Sequence, residues 1–214
     1  MVAGNSAGTP MMALTDDGRA RVEAAIADLE TRSSAELGVV VARQAHDYGT
    51  YPFLWAAAAG LCAGGALAVL APLARPTDVI LVEGLVFVVA FALLHFTRLG
   101  LALVPKRVKI HHARRLAAAE FANLVAQKTE SRTGLLLFVA LTERHVEILV
   151  DRGIDARVGR PHWQAAVERF RGHSRRDLAD GLVAAIEACA VILEKEFPAQ
   201  GQRRNEIPDR VTEI

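Results

Sequence analysis

The sequence predicts an α/β domain in which helices sandwich a small mixed sheet and a two-helix transmembrane hairpin interrupts the chain. Three observations support this fold class. Short apolar runs at 37–41, 135–141 and 146–150 are typical of buried strands. Segments with helical spacing of apolar residues flank these runs. Two much longer apolar segments follow the first of them.

The long apolar segments cover residues 53–74 and 79–97. The first contains no charged residue, and the second contains only Glu83 and His95 as ionisable residues. A helix of about 20 residues crosses a hydrocarbon core roughly 30 Å thick. Only residues 75–78 separate the segments, which is enough for a tight turn. We therefore predict a transmembrane helical hairpin within residues 51–104.

The first part of the α/β domain is predicted to cover residues 15–50, after a disordered tail of residues 1–14. Thr15 can cap a helix whose first turn is acidic, which suits the positive end of a helix dipole. The helix has one apolar face, and the strand run 37–41 is apolar enough to be buried on both sides. That helical face consists of Val22, Ile26 and Leu29.

The second part is predicted to cover residues 105–198, followed by a polar tail at 199–214. Its elements are a helix, two strands joined by a tight turn, and two closing helices. A helical crossover between strands normally makes them parallel, so strands one and two should be parallel and strand three antiparallel to strand two. The elements are a helix over 108–128, strands over 135–141 and 146–150, and helices from Pro161 and from Leu178.

Basic residues predict the membrane orientation. Arg43 precedes the first span, and only Arg75 lies in the turn between the spans. No cleavable signal is recognisable at the N-terminus. The positive-inside rule then places both termini in the cytoplasm, with two spans in the bacterial inner membrane. The cluster after the second span, which we also expect to contact anionic lipid headgroups, consists of Lys106, Arg107, Lys109, Arg114 and Arg115.

Overall charge and cysteine content exclude some functions. The net charge of +1 predicts no nucleic-acid partner. Cys62 falls in the first span and Cys189 in a closing helix, so no disulfide framework or metal-binding spacing is indicated. Gly60, Gly64 and Gly65 permit close approach of a neighbouring helix, either within the hairpin or between copies of the chain, and self-association is expected through Gly60 and Gly64.

Five short segments occur in a characteristic order: Ser33-Ser34-Ala35-Glu36, Arg132-Thr133-Gly134, Val150-Asp151-Arg152-Gly153-Ile154, Leu178-Ala179-Asp180-Gly181-Leu182 and Arg204-Asn205-Glu206-Ile207-Pro208-Asp209. The first three resemble the TPM domain family (the family of the thylakoid TLP18.3 and Psb32 proteins), and the last two are similar to its membrane-anchored bacterial members. The resemblance covers nearly the whole chain outside the spans and the tail.

The resemblance implies a fold more than a reaction. The family is associated with photosystem maintenance in plants, with receptor assistance in animals and with a disputed acid phosphatase activity. Many members expose the domain outside the cytoplasm, which is opposite to the orientation that the charges predict. We keep the charge-based orientation, because the basic residues lie in short flanks, where the positive-inside rule works best.

The predicted topology brings Glu36, Arg132, Asp151 and Arg152 to one end of the sheet. These residues could form an ion-pair network that holds the strand ends, which is the interpretation we favour. They are also the candidates for a catalytic site that binds phosphate or a divalent cation, with Glu36 and Asp151 as metal ligands. No nucleophile–base pair or phosphate loop accompanies them.

We therefore expect a membrane-anchored, non-enzymatic protein that binds or maintains other membrane proteins and needs no cofactor. The alternative is a phosphohydrolase acting at the Glu/Asp/Arg cluster, with a divalent cation. A transporter would require oligomers, because two spans alone enclose no pore. Glu83 lies near the turn, where a carboxylate can reach the interface, so we interpret it as a snorkelling side chain.

Overall fold

The computed structural model describes residues 14–97, 99–126, 132–199 and 207–214. The chain divides into two compact units, which are named here the hairpin unit, residues 46–112, and the α/β unit, formed by the chain on either side of it. The tail predicted at residues 1–14 lies outside the described residues except for Leu14.

The α/β unit contains a four-stranded sheet with the order β3-β2-β1-β4. Strands β1 and β2 are parallel over their whole length, and β3 is antiparallel to β2. Both predicted pairings and the predicted mixed α/β fold are confirmed. The strands are β1 (Glu36–Ala42), β2 (Gly134–Ala140), β3 (His145–Val150) and β4 (Val211–Glu213).

Strand β4 was not predicted, because it lies in the segment that the sequence indicates to be a polar tail. Its residues pair in parallel with Val39, Val40 and Val41 of β1. Beyond the strand, the N–H of Ile214 donates to the carbonyl of Val41 at 3.1 Å. Three residues are too few for alternating hydrophobicity to identify a strand. The end of the chain therefore forms one edge of the sheet.

Both faces of the sheet are covered, as the apolar runs predict. Leu37, Val39 and Val41 of β1 pack into one core, whereas Val40 and Ala42 pack into another. The first core also contains apolar side chains of α1 (Asp16–Arg32), α7 (Arg160–His173) and α8 (Leu178–Glu196). The second contains side chains of α5 (Lys106–Phe121) and of the π-helical segment Ala122–Ala126. The sheet is therefore sandwiched by helices.

The helix predicted over residues 108–128 is α5 continued by one π-helical turn, and Lys128 lies outside the described residues. Helix α1 begins as predicted, because the Thr15 side chain accepts a hydrogen bond from the Gly18 N–H at 3.0 Å. Asp177 caps α8 in the same way through the Ala179 N–H. A short helix, α6 (Arg152–Asp155), follows β3.

The hairpin unit consists mainly of α2 (Thr50–Leu70) and α3 (Pro76–Phe96), each 21 residues long, followed by the short α4 (Leu99–Ala102). Within the described part of the chain, α2 and α3 are the helices long and apolar enough to cross a membrane. Each begins three residues before its predicted span, and α2 ends earlier than predicted, at Leu70. The apolar side chains of α3 are largely exposed.

Gly60 and Gly64 form the contact between α2 and α3. A Cβ atom at Gly60 would lie 3.0 Å from the carbonyl oxygen of Glu83, and one at Gly64 would lie 3.2 Å from the Glu83 Cβ and Oε2. The Glu83 side chain therefore lies along α2 at Gly64. Gly65 points away, with no atom within 4 Å of its Cβ position. The two glycines thus allow α2 to pack closely against α3 within the hairpin. Their role in self-association stays a prediction.

Gly60→Ala is expected to lower the free energy of unfolding of the hairpin by about 1 kcal/mol, because the added methyl group must push against the backbone of α3. Gly65→Ala is the matched control and is expected to have no destabilising effect, since its Cβ position is open. The measurement is unfolding of the full chain by a denaturing detergent, followed through the fluorescence of Trp55. Equal destabilisation by the two substitutions would contradict this packing.

Candidate functional site

Three strand ends meet at the end of the sheet that the sequence analysis identifies. Glu36 at the start of β1 pairs with Gly134 at the start of β2. The N–H of Asp151, which follows β3, donates to the carbonyl of Gly134 at 2.9 Å. The N–H of Gly153 donates to the carbonyl of Arg132 at 3.1 Å. The backbone therefore gathers the four predicted residues at one end of the sheet.

The Asp151 carboxylate has a structural role in α6. Asp151 is 5% exposed, and its Oδ1 accepts a hydrogen bond from the N–H of Arg152 at 2.6 Å as the N-cap of that helix. Arg152 itself is exposed. Arg132 adopts a φ of 53°, the left-handed region that side chains rarely occupy. These contacts give Asp151 a capping role, and the ion-pair network expected from the sequence stays a prediction.

Glu36 belongs to a second group of acidic side chains, named here the carboxylate cluster: Glu30, Glu36 and Asp209. Oε2 of Glu36 accepts a hydrogen bond from the Ile207 N–H at 3.1 Å. Glu30, near the end of α1, accepts one from the Leu37 N–H at 3.3 Å. Glu30 and Asp209 share a side-chain hydrogen bond. The cluster therefore connects α1, β1 and the segment that leads into β4.

Burial and the neighbouring carboxylates raise the pKa of Glu30 to about 8. Burial is the larger cause, because it penalises the charged form, and the negative charges of Glu36 and Asp209 act in the same direction. The Leu37 N–H partly offsets both effects. Glu30 therefore keeps its proton at neutral pH, as a hydrogen bond between two carboxyl groups requires.

Sequence reasoning identified Glu36 but missed Glu30 and Asp209 as its neighbours. Glu30 lies one residue after Leu29 and four after Ile26, at the border of the apolar face of α1. That position could have indicated partial burial. Asp209 could not have been placed without β4, because only the pairing of β4 with β1 brings the end of the chain back to the sheet.

A metal site at this end of the sheet receives no geometric support. Across residues 14–97, 99–126, 132–199 and 207–214, no three His, Cys, Asp or Glu side chains are arranged to hold a metal ion. The assignment of Glu36 and Asp151 as metal ligands stays a prediction, and so does their assignment as catalytic residues.

The predicted lipid-contacting residues lie along α5. Lys106, Arg107 and Arg115 are exposed, and Lys109 is half-buried. Arg114 differs because its Nε lies 3.8 Å from the carboxylate of Glu147 on β3. His145 also contacts Glu147, at 3.0 Å, and this hydrogen bond is the main cause that lowers the pKa of Glu147. Arg114 is therefore partly engaged within the α/β unit.

One solved structure has a similar fold. It is the NMR structure of the BA42 protein from the psychrophilic bacterium Bizionia argentinensis, which is 17% identical to this chain, with a TM-score of 0.60. The match covers 96% of this chain and 99% of the other. No protein-family model matches the chain, and no curated protein matches it. At 17% identity, the similarity to BA42 supports the fold of this chain and carries no information about its activity.

Proposed function

We propose that the chain is a TPM-domain protein anchored in the bacterial inner membrane, whose α/β unit binds or helps to maintain other membrane proteins without catalysis. The observation that carries this proposal is the exposed apolar surface of α2 and α3. Leu61 is 64% exposed, Val69 is 79% exposed and Leu81 is 64% exposed. An apolar surface of this extent would be unstable in water but is stable in lipid.

The exposure also distinguishes α3 from the core helix of a soluble protein, which is equally apolar but buried. None of the residues of α3 is buried. A secretory signal is a poor alternative for two helices that begin at residues 50 and 76. Both considerations favour a hairpin that anchors the chain.

The contacts of the predicted site residues favour binding over catalysis. The Asp151 carboxylate caps α6, and the Glu36 carboxylate accepts a hydrogen bond from the Ile207 N–H. Both groups thus contribute to the connection of strand ends. Recognition of another protein requires shape complementarity and a polar rim, and no reactive group.

Basic residues support the proposed orientation and lipid contact. Lys106, Arg107 and Lys109 open α5 shortly after α3 and α4, whereas the turn between α2 and α3 contains Arg75. With both termini in the cytoplasm, α5 would begin beside anionic headgroups. Attraction to these headgroups favours membrane binding by about 1 kcal/mol for each basic residue near the surface. A reporter fused after Ile214 through a flexible linker should be active in the cytoplasm. A periplasmic signal would reverse this orientation.

The binding role is tested by purification from native membrane in polymer nanodiscs. We expect the full chain to retain a defined set of membrane proteins. A chain in which residues 46–112 are replaced by an unrelated two-span hairpin should retain the same set, because the α/β unit is the binding part. If no protein is enriched over a control with the unrelated hairpin alone, the binding role is wrong.

A second candidate, a phosphohydrolase, is favoured by the raised pKa of Glu30 beside Glu36, since perturbed carboxyl groups are frequent in active sites. Phosphate-ester hydrolysis by the full chain would be measured with and without Mg²⁺. The informative variants are Asp151→Asn and Glu36→Gln, because each amide keeps the oxygen that accepts the backbone hydrogen bond. We expect no turnover in any of the three proteins. Metal-dependent turnover that both variants lose would establish the hydrolase instead.

A further inference from the structure

Strand β3 forms one edge of the four-stranded sheet, and β4 forms the other. β4 has only three residues, whereas β3 has six. Natural sheets protect their edges with very short strands, charged residues, proline or bulges. β3 contains neither proline nor lysine and runs in continuous register with β2, and its one carboxylate, Glu147, is engaged by His145 and Arg114. The edge formed by β3 is therefore the less protected of the two.

Three residues of β3 direct their backbone groups away from β2. The N–H of Asp151 donates to the carbonyl of Gly134 on β2 at 2.9 Å. Backbone groups alternate in direction along an antiparallel strand, so every second residue back from Asp151 also faces β2. The N–H and C=O of the residues between them point outward, and among the described residues they have no hydrogen-bond partner. These outward groups belong to Val146, Ile148 and Val150.

The side chains of the same three residues are apolar and β-branched. Val146 is buried in the first core, and Ile148 and Val150 are half-buried against it. A further strand beside β3 would place its own side chains next to these three, and cross-strand pairs of β-branched residues stabilise a sheet. Such a strand therefore needs an apolar residue at every second position.

Exposed arginines lie at the two ends of β3. Arg144 directly precedes the strand, and Arg152 is the second residue after it. Both are exposed, and within the part of the chain that the structure describes neither guanidinium group forms a hydrogen bond or an ion pair. A strand added beside β3 would have its ends near these two charges. Acidic residues at both of its ends would complement them.

We propose that the outer edge of β3 binds an extended segment of a partner protein as a fifth strand of the sheet. The segment alternates apolar with polar residues and carries an acidic residue at each end. Its backbone pairs with the outward groups, and the two arginines select for its charge. This inference rests on the proposed binding function and deepens it, because it assigns the binding surface and the chemistry of the bound segment.

Two synthetic peptides test the edge. The acidic peptide is Glu-Thr-Val-Thr-Val-Thr-Val-Thr-Glu, and the basic peptide has lysine in place of both glutamates. Each is a palindrome, so it presents the same side chains in parallel and in antiparallel addition. Binding of labelled peptide to the full chain in neutral phosphatidylcholine nanodiscs is measured by fluorescence anisotropy, against empty nanodiscs. We expect the acidic peptide to bind about tenfold more tightly. Equal affinities, or no binding of either peptide, would overturn the proposal.

A charge reversal tests the two arginines. The double variant Arg144→Glu with Arg152→Glu should prefer the basic peptide. The matched control is Arg175→Glu with Arg176→Glu, which makes the same charge change at exposed residues between α7 and α8 and should keep the preference for the acidic peptide. If the first double variant keeps the wild-type preference, the arginines do not face the bound segment and the proposal is wrong.

Ile148→Pro tests the backbone pairing. Proline removes one outward N–H, and the N–H groups that face β2 remain. We expect the affinity for the acidic peptide to fall about tenfold or more. Trp163 fluorescence shows whether this variant is folded, and the charge reversal decides if it is not. Unchanged binding by the folded variant would overturn the proposal. A wild-type dimer that Ile148→Pro converts to a monomer would also overturn it, because a second copy would then occupy the edge.

Purification from native membrane separates this inference from the proposed function. The Ile148→Pro chain should lose the membrane proteins that the wild-type chain retains. If both chains retain the same set, the binding function stands and the outer edge of β3 is not its surface. If the wild-type chain retains no protein, the binding function fails, and the peptide affinities alone decide whether the edge accepts a strand.

Discussion

Gly181→Ala is expected to destabilise the α/β unit by about 3 kcal/mol, at the upper end of the usual cost of overpacking. A Cβ atom at Gly181 would lie 2.5 Å from the Cβ of Ser174 and 2.9 Å from its Cα. The Ser174 backbone nitrogen is 3.0 Å away and donates to the Phe170 carbonyl, so the serine cannot rotate aside. The methyl group must therefore push α8 away from the end of α7.

Gly172→Ala in α7 is the matched control. No atom lies within 4 Å of its Cβ position, so only helix propensity changes, and we expect stabilisation of up to about 1 kcal/mol. Urea unfolding of the full chain in mild detergent gives both values. A Trp55→Phe background leaves buried Trp163 on α7 as the fluorescent reporter of the α/β unit. Similar effects of the two substitutions would contradict the close contact between Gly181 and Ser174.

The sequence could predict the sheet of the α/β unit but not the contact that Gly181 makes. The alternation of Leu37, Val39 and Val41 with Val40 is a local pattern, so the sheet with two covered faces could be inferred from it. The parallel pairing of β1 and β2 followed from the helical crossover predicted between them. The contact of Gly181 with Ser174 depends instead on the angle between α7 and α8, which no residue pattern encodes.

The carboxylate cluster could be predicted only in part, for a similar reason. Glu36 precedes a strand, and its position at a sheet end followed from the topology. Glu30 and Asp209 approach it because α1 packs on one face of the sheet and β4 returns to its edge. Both are long-range consequences of tertiary structure, and β4 is too short to be recognised from its own residues.

Insertion of the hairpin unit after β1 constrains the number of membrane spans that the hairpin unit can contain. Residues 1–45 and 113–214 form one compact unit, although 67 residues, from His46 to His112, separate them in the chain. β1 can pair with β2 only if both parts are on the same side of the membrane. An even number of spans meets this condition, whereas a single span would divide the sheet. The anchor proposed for α2 and α3 is therefore consistent with the fold of the α/β unit.

Between pH 4.5 and about 8, the stability of the α/β unit is expected to fall as the pH rises, because of Glu30. Below pH 4.5, the ordinary value, Glu30 carries its proton in both the folded and the unfolded chain. Between that value and the folded pKa of about 8, the unfolded chain has lost the proton and the folded chain retains it. Each rise in pH in this window favours unfolding, and the effect ends once both states are ionised.

Glu30→Gln should remove this contribution. The amide oxygen can still accept the Leu37 N–H, and the amide group can donate to Asp209 without a titrating proton. Because Glu30 is only half-buried, solvent screening reduces the full effect of its shifted pKa. We expect the variant to be more stable than wild type by about 2 kcal/mol at pH 8, with a smaller difference near pH 5.

Glu23→Gln is the matched control for this pH dependence, since Glu23 lies two turns earlier on α1 and outside the carboxylate cluster. Urea unfolding through Trp163, at intervals from about pH 4.5 to about pH 8.5, gives the difference between each variant and wild type. The unfolding free energy of wild type is subtracted from that of each variant, because other groups contribute to the pH dependence of stability in all three proteins. If Glu30→Gln and Glu23→Gln give the same pH profile, Glu30 does not hold a proton in the folded chain, and the hydrogen bond between Glu30 and Asp209 does not form.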